Sequence, residues 1–251
     1  MKPYLQFANI YDDLMEHVDY DRWLTYMEKA LEDRNIRATT ILDIGCGTGE
    51  LMLRMNRAGY TVAGLDLSED MLTIAHQKLQ SAGYPAHVFH EDMSRFSGLG
   101  RYDVITIFCD SLNYLKEEAA FKHVFLRCYD ALNNGGLLLF DVHSPFKMTQ
   151  FDQATYADVS DGVAYIWHSF AGEAPNSVEH ELTFFIEQEN GLYERVEELH
   201  QERTFDEQTY TKWLKEAGFK TIQVTSDFCD EPLHAKTERM FFSAKKEAGT
   251  L

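Results

Sequence analysis

The stretch Ile41-Leu42-Asp43-Ile44-Gly45-Cys46-Gly47-Thr48-Gly49-Glu50 decides the fold of this 251-residue chain. A short apolar run, Ile41 to Ile44, ends at a glycine-rich loop, and Glu50 to Ala58 behind it reads as a helix closed by Gly59. Strand, tight loop and helix in that order form the unit from which open parallel sheets are wound. Glycine loops after a first strand serve several cofactors, and the spacing separates them. The dinucleotide pattern GxGxxG, counted from Gly45, requires glycine at position 50, where the chain has Glu50. That carboxylate would sit where a helix start usually receives a pyrophosphate, so a nicotinamide cofactor is disfavoured. No Gly-Lys-Ser/Thr follows the loop, which removes the phosphate loop of nucleotide hydrolases.

Outward from the loop the same unit repeats. Thr61 to Leu65 reads as a buried strand ending at Asp66, and Ser68 can cap the next helix, whose apolar face carries Met71, Leu72, Ala75 and Leu79. Glu69 and Asp70 suit the positive end of that helix. His87 to Phe89 forms a third strand ending at Glu91-Asp92, and Tyr102 to Phe108 a fourth ending at Cys109-Asp110. Glu117 to Leu132 is helical, stopped by Asn133-Asn134-Gly135-Gly136, and Leu137 to Val142 is the fifth strand. Strands alternating with helices predict an α/β fold with a doubly wound, mainly parallel sheet that binds its ligand outside the carboxyl ends of the strands. From Phe151 to Arg203 the pattern changes to β-rich segments at Val163 to Phe170, Val178 to Glu187 and Tyr193 to Arg203, with Asn190-Gly191 a hairpin turn. Alternation resumes with a helix at Thr209 to Ala217 and strands at Thr221 to Thr225 and Arg239 to Ala244. The expected organisation is an N-terminal helical cap over residues 1–37, a core over 38–150 and 204–251, and an inserted antiparallel flap over 151–203 for substrate or dimer contacts.

A formal net charge of -18 repels a phosphate backbone, and the basic residues form only short clusters such as Lys245-Lys246, so a nucleic-acid partner is disfavoured. With 45% hydrophobic and 25% charged residues the chain is expected to fold as an ordinary globular protein. Cys46, Cys109, Cys128 and Cys229 form no CxxC pair, so neither a zinc centre nor a disulfide framework is expected and no metal is assigned. The acidic and polar N-terminal residues do not read as a secretory signal, and no apolar run reaches membrane-spanning length. Cytoplasmic location without a membrane partner is the resulting expectation.

ILDIGCGTGE resembles motif I of the class I S-adenosylmethionine-dependent methyltransferases, with the acid, the glycines and the preceding strand all coinciding. The resemblance extends over Phe7 to His143 and more loosely over the last strands, and is nearest to uncharacterised bacterial enzymes of the small-molecule type. It implies a Rossmann-like sheet of seven strands and S-adenosyl-L-methionine as cofactor. It further implies that Gly45, Cys46, Gly47, Thr48 and Gly49 bring backbone close to the methionine part of the cofactor, with Asp43 contacting it directly or through water. Asp66 would accept from both ribose hydroxyls. Glu91-Asp92 would face the adenine amino group, and Leu67 and Met93 would line the ring. A carboxylate suits a diol because it accepts twice and donates nothing. As lone aspartates, Asp66 and Asp92 would read as turn or cap residues; three acids at successive strand ends favour the cofactor reading.

Phe108-Cys109-Asp110-Ser111-Leu112-Asn113-Tyr114-Leu115 occupies the family's motif IV, where Cys109 meets the methionine end and Asp110 and Tyr114 meet the substrate. It is not the Asn-Pro-Pro-Tyr type used on exocyclic amines of nucleic-acid bases. It is similar to bacterial small-molecule N-methyltransferases that modify glycine and amino sugars. Tyr4, Phe7, Tyr11, Asp12, Tyr20 and Trp23 resemble the aromatic N-terminal cap of those enzymes, in which aromatic faces attract a cationic sulfonium and exclude water. Tyr11 reads equally as part of that cap and as core; Trp23 reads as core. A sulfonium is already an activated leaving group, so a dedicated base is optional; His143, Asp110 or Tyr114 is placed to take a proton from the acceptor. His143 has a second reading, a strand-end histidine bonded to backbone. The expected function is transfer of the methyl group of S-adenosylmethionine to an N or O atom of a small molecule. The alternatives are a non-catalytic protein that binds the same cofactor, and an RNA methyltransferase that works with a partner.

Overall fold

The computed structural model describes residues 12, 15, 18–160, 162–188 and 190–247. Tyr4, Phe7 and Tyr11 of the aromatic N-terminal segment lie outside the described residues. Helix α1 (Asp21–Asp33) precedes β1 (Thr40–Ile44), α2 (Glu50–Arg57), β2 (Thr61–Asp66), α3 (Glu69–Ser81), β3 (His87–His90) and β4 (Tyr102–Ile107). A 3-10 turn (Ser111–Tyr114) leads to α4 (Glu118–Ala131), β5 (Leu132–His143) and α5 (Pro145–Phe151). Then come β6 (Thr155–Ser160), β7 (Val163–Ala171), β8 (Ser177–Glu187), β9 (Tyr193–Arg203), α6 (Glu207–Ala217), β10 (Thr221–Ser226) and β11 (Arg239–Lys245).

Seven strands form one sheet in the order β10-β11-β5-β4-β1-β2-β3, and β6 to β9 form a separate four-stranded sheet. The pairs among β1 to β5 are parallel, whereas β11 runs antiparallel to both β5 and β10. The order turns back between β1 and β4, and the carboxyl ends on either side of that point carry the glycine loop and the Cys109-Asp110 turn. Both faces are covered, which is why β4 and β5 read as continuous apolar runs and not as alternating ones. On one face Phe121, Val124, Phe125 and Cys128 of α4 pack with Tyr210, Trp213 and Leu214 of α6. On the other, Trp23, Met27 and Leu31 of α1 pack with Met52 and Met55 of α2. Trp23 is thus a core residue, as its amphipathic spacing suggested.

The all-antiparallel second sheet matches the expected flap, and it is inserted in the chain between β5 and β10 of the main sheet. Three elements escaped the periodicity. Strand β6 (Thr155–Ser160) has an aspartate in mid-run and is held by its pairing with β7. Helix α5 spans only seven residues, and β5 begins at Leu132, ahead of the Asn-Asn-Gly-Gly stretch that stops α4. Gly135 in that stretch adopts φ 83 and Lys246 closes it, with its backbone N–H on the Gly136 carbonyl at 2.9 Å.

Candidate active site

The loop after β1 is shaped by glycine where glycine is required. Gly45 has φ 71, and a Cβ there would stand 2.6 Å from Ser111 Oγ; Gly49 has φ 79 and faces Ala75 on α3 at 3.0 Å. Gly47, at φ 53, has no heavy atom within 4 Å of where its Cβ would stand, so the loop presents bare backbone to open space there. Asp66 fastens this loop. Its Oδ2 accepts the Gly47 backbone N–H at 2.8 Å and its Oδ1 accepts that of Ser68 at 2.9 Å. Each carboxylate oxygen keeps a further lone pair, which is what a ligand diol would need. Beside it Leu67 is 69% exposed, an apolar side chain with nothing covering it, and Met93 is half-buried nearby. Loop, carboxylate and apolar shelf together form a cradle that an adenosyl-type group fits.

Asp43 lies under the loop, 2% exposed, and accepts a bond from Thr106 Oγ1 at 2.7 Å. Burial pushes its carboxyl up to about 7, against the pull of Thr106 and with help from the charge of Asp66. Burial, followed by neighbouring carboxylates, holds the thiols of Cys46 and Cys109 well above their ordinary range, so neither is a nucleophile. Glu50, which breaks the dinucleotide spacing, pairs with Lys78 at 2.6 Å and with Arg54. Burial alone would raise its carboxyl, but those two cations hold it below its usual value. Lys78 also reaches Asp12 Oδ2 at 2.6 Å, and Thr48 Oγ1 donates to Asp12 Oδ1 at 2.5 Å, tying Asp12 to the loop. Asp92 makes the local bonds of a turn aspartate, its Oδ1 accepting from Ser94 N–H at 2.8 Å and Ser94 Oγ at 2.7 Å. Burial opposes and Ser94 favours its charged form, which stays below the ordinary carboxylate range. Glu91 takes part through its backbone N–H, which donates to the Asp66 carbonyl at 3.1 Å, and its side chain is exposed.

Across the switch point a polar cluster forms around Asp141. Cys109 and Asp110 both take positive φ, 55 and 54, a strained pair for residues with a side chain. The Asp141 carboxylate holds that turn by accepting the Cys109 N–H at 2.9 Å, the Asp110 N–H at 3.2 Å and Trp23 Nε1–H at 2.8 Å. Arg239 donates to Asp110 Oδ1 at 2.8 Å and also to Asp141. Strand register brings these together, for Arg239 stands opposite His143 in the β11–β5 ladder and diagonal to Asp141. Burial disfavours the charge on Asp110, yet Arg239 and then His143 hold its carboxyl far below the usual range. Asp141, Arg239 and Trp23 as a set were not legible in the chain, because their partners are 98 to 118 positions apart. The one available signal was a lone aspartate inside the apolar run Leu137 to Val142.

The flap completes the cluster. His143 is 7% exposed; its backbone N–H donates to Asn113 Oδ1 at 2.9 Å and its carbonyl accepts from Thr204 Oγ1 at 2.5 Å. Its ring Nε2 stands 3.6 Å from Asp110 Oδ2 and 3.9 Å from Glu202 Oε2. Glu202, on β9, is 6% exposed, and burial followed by the charge of Asp110 raises its carboxyl well above its usual value. His180, on β8, accepts or donates at Nδ1 with Ser169 Oγ at 2.7 Å, and burial lowers its ring to about 4, so it is neutral at physiological pH. Asn113 also donates through Nδ2 to the Arg203 carbonyl at 2.8 Å, and Tyr114 OH meets His200 Nδ1 at 3.0 Å, so the 3-10 turn clamps flap and sheet together. Asp110 and His143 are thus brought to one place, with Glu202 and His180 joining them from a segment in which no motif was readable, whereas Tyr114 is 46% exposed and meets His200. The glycine loop and this cluster meet at Ser111, whose Oγ donates to the Phe108 carbonyl at 2.8 Å and lies 3.4 Å from that of Gly45.

Comparison with known proteins gives the family. Residues 41–136 match a family model described as a methyltransferase domain. A provisionally named methyltransferase of Geobacillus sp. (strain WCH70) is 44% identical over 245 residues, covering 97% of this chain and 99% of its own. The dTDP-3-amino-3,4,6-trideoxy-alpha-D-glucopyranose N,N-dimethyltransferase of Streptomyces venezuelae is 27% identical, with 85% of this chain and 90% of the relative covered. Among solved structures, an S-adenosylmethionine-dependent methyltransferase from Clostridium acetobutylicum superposes with a TM-score of 0.87 at 28% identity, over 99% of this chain and 100% of the other. Seven-stranded sheet, glycine loop, acid series and whole-length kinship agree, and the chain belongs to the class I S-adenosylmethionine-dependent methyltransferases.

Proposed function

We propose that the enzyme methylates an N or O atom of a small molecule, and that the acceptor lies between the glycine loop and the flap. The observation that carries this reading is the junction at Ser111, which sets the cofactor cradle beside a buried, flap-capped polar cluster. When bound, S-adenosylmethionine supplies a methyl group on a sulfonium, already activated for in-line transfer. The work left to the chain is placement and exclusion of water. In this reading Gly45, Cys46, Gly47, Thr48 and Gly49 receive the methionine part along bare backbone, with Asp43 beneath. Asp66 holds the ribose, Leu67, Asp92 and Met93 the adenine, and Cys109 the inner end of the cleft. Asp110, Tyr114 and His143 line the acceptor side. Asp12, bonded to Thr48 and Lys78, anchors residues 1–37 as a cap, and the resemblance extends that role to its neighbour Tyr11. Residues 151–203 select the acceptor, because β8 and β9 supply the cluster's far wall.

The formal charge of -18 favours a small acceptor over RNA. The sugar N,N-dimethyltransferase relative supports an amine-bearing or hydroxyl-bearing metabolite of similar size. Purified enzyme with methyl-labelled cofactor and a panel of amines, amino sugars and phenols tests the reading, alongside a cell extract fractionated by size. Label should appear in the small-molecule fraction. Label confined to material that RNase degrades would overturn the proposal.

A further inference from the structure

Asp110 Oδ2, His143 Nε2 and Glu202 Oε2 come from three elements, the turn after β4, the end of β5 and the end of β9. All three atoms lie within 4.8 Å of one another. The imidazole nitrogen is 3.6 Å from one carboxylate oxygen and 3.9 Å from the other, beyond hydrogen-bond reach in both cases. The three groups therefore face one another without bonding. Glu202 Oε2 has no hydrogen-bond partner among the described residues, although Glu202 is only 6% exposed. A buried oxygen of that kind is costly to leave alone, and this one points into the cluster. Donors at about 2.1 Å from an ion stand about 3 Å apart when adjacent and about 4.2 Å when opposite. The two nitrogen–oxygen separations, 3.6 Å and 3.9 Å, lie between those limits.

We propose that Asp110, His143 and Glu202 form a three-ligand site for a first-row divalent cation, whose open positions take an oxygen donor of the methyl acceptor. One imidazole with two carboxylates suits Mn2+, Fe2+ or Zn2+ better than the all-oxygen preference of Mg2+ or Ca2+. Arg239 donates to the other oxygen of Asp110, which leaves Oδ2 facing the cluster. With Nε2 on the ion, the proton of His143 resides on Nδ1. Because Glu202 belongs to the flap, the site is complete only with the flap docked, which couples acceptor selection to metal binding. The acceptor's placement rests on the function proposed above; uptake of the ion does not.

Full-length protein stripped with chelator and titrated with MnCl2, by calorimetry and by the loss of the free Mn2+ electron paramagnetic resonance signal, tests the site. The same preparation is titrated with S-adenosylmethionine. One Mn2+ should bind per chain. Glu202→Gln should weaken it by at least the 10- to 100-fold that loss of an outer-shell partner costs, with melting temperature and cofactor affinity unchanged. His143→Gln makes the same comparison should Glu202→Gln fail to fold. Wild-type protein that binds cofactor but takes up neither Mn2+ nor Zn2+ at millimolar concentration overturns the cation site and leaves the acceptor reading standing. Equal Mn2+ affinity in wild type and variant also overturns it. Methylation of acceptors that carry no second oxygen or nitrogen donor, at the same rate with and without metal, sinks the coupling to the acceptor.

Discussion

Replacing Asp66 separates the ribose-binding role from a merely structural one. The carboxylate now holds two backbone donors, Gly47 N–H at 2.8 Å and Ser68 N–H at 2.9 Å, and has one lone pair left on each oxygen. Hydrogen bonds to a charged group contribute about 1.5–3 kcal/mol each. Two ribose hydroxyls on those lone pairs make the low estimate about 3 kcal/mol, or a loss of roughly 150-fold in cofactor affinity for Asp66→Ala. Asp66→Asn keeps one acceptor oxygen and turns the other into an NH2 group that can accept neither a backbone N–H nor a hydroxyl, so about half of that loss, roughly tenfold, is expected. Alanine also strands the Gly47 and Ser68 donors at a cost to stability of about 1–3 kcal/mol each, so near-ultraviolet circular dichroism must first show a folded protein. Calorimetric titration with S-adenosylmethionine then reads the dissociation constant directly. Asp92→Ala is the internal comparison. One oxygen of Asp92 is committed to Ser94, so its loss should weaken binding less. A folded Asp66→Ala protein with wild-type affinity would refute the placement of the ribose.

Asp43 and Arg239 supply two further expectations. Burial raises the folded-state carboxyl of Asp43 from 3.8 to about 7, so between those values the folded chain keeps a proton that the unfolded chain has lost. Stability from this group is therefore full below pH 4 and falls on the order of 1 kcal/mol per unit as pH rises towards 7; urea midpoints should show that slope in the wild type and lose it in Asp43→Asn. Arg239→Met removes the cation shared by Asp110 and Asp141, of which Asp141 is wholly buried. A loss of about 3–5 kcal/mol is expected by denaturant titration, and a loss under 1 kcal/mol would show that the pair is not the clamp described.

Much of the fold was legible because it rests on local periodicity. The repeating strand, loop and helix units from Ile41 to Val142 follow from apolar runs bounded by glycine and capping residues, and the flap follows from alternation with an Asn-Gly turn. Strand β6 and helix α5 were not legible. Their short, mixed sequences take their structure from pairing with β7 and from packing of Met148 and Phe151 on Val178. At the carboxyl ends of the strands the glycines take the positive φ values their residue type allows and Asp66 fastens the loop through Gly47 N–H, whereas Asp92 makes the local bonds of a turn residue.

By itself the sequence determined the strand, loop and helix units, the glycine loop and, through family resemblance, the cofactor. The units and the loop depend on residues that are neighbours in the chain, where a positive φ at Gly45 or a missing Cβ at Gly47 is written directly as glycine. Only the tertiary structure assembled the buried polar cluster across the switch point. Asp141 under the strained Cys109-Asp110 turn, Arg239 opposite His143, and Glu202 arriving from the flap are long-range contacts set by strand register. Register is a property of paired strands, and a single strand carries no record of which residue will face it.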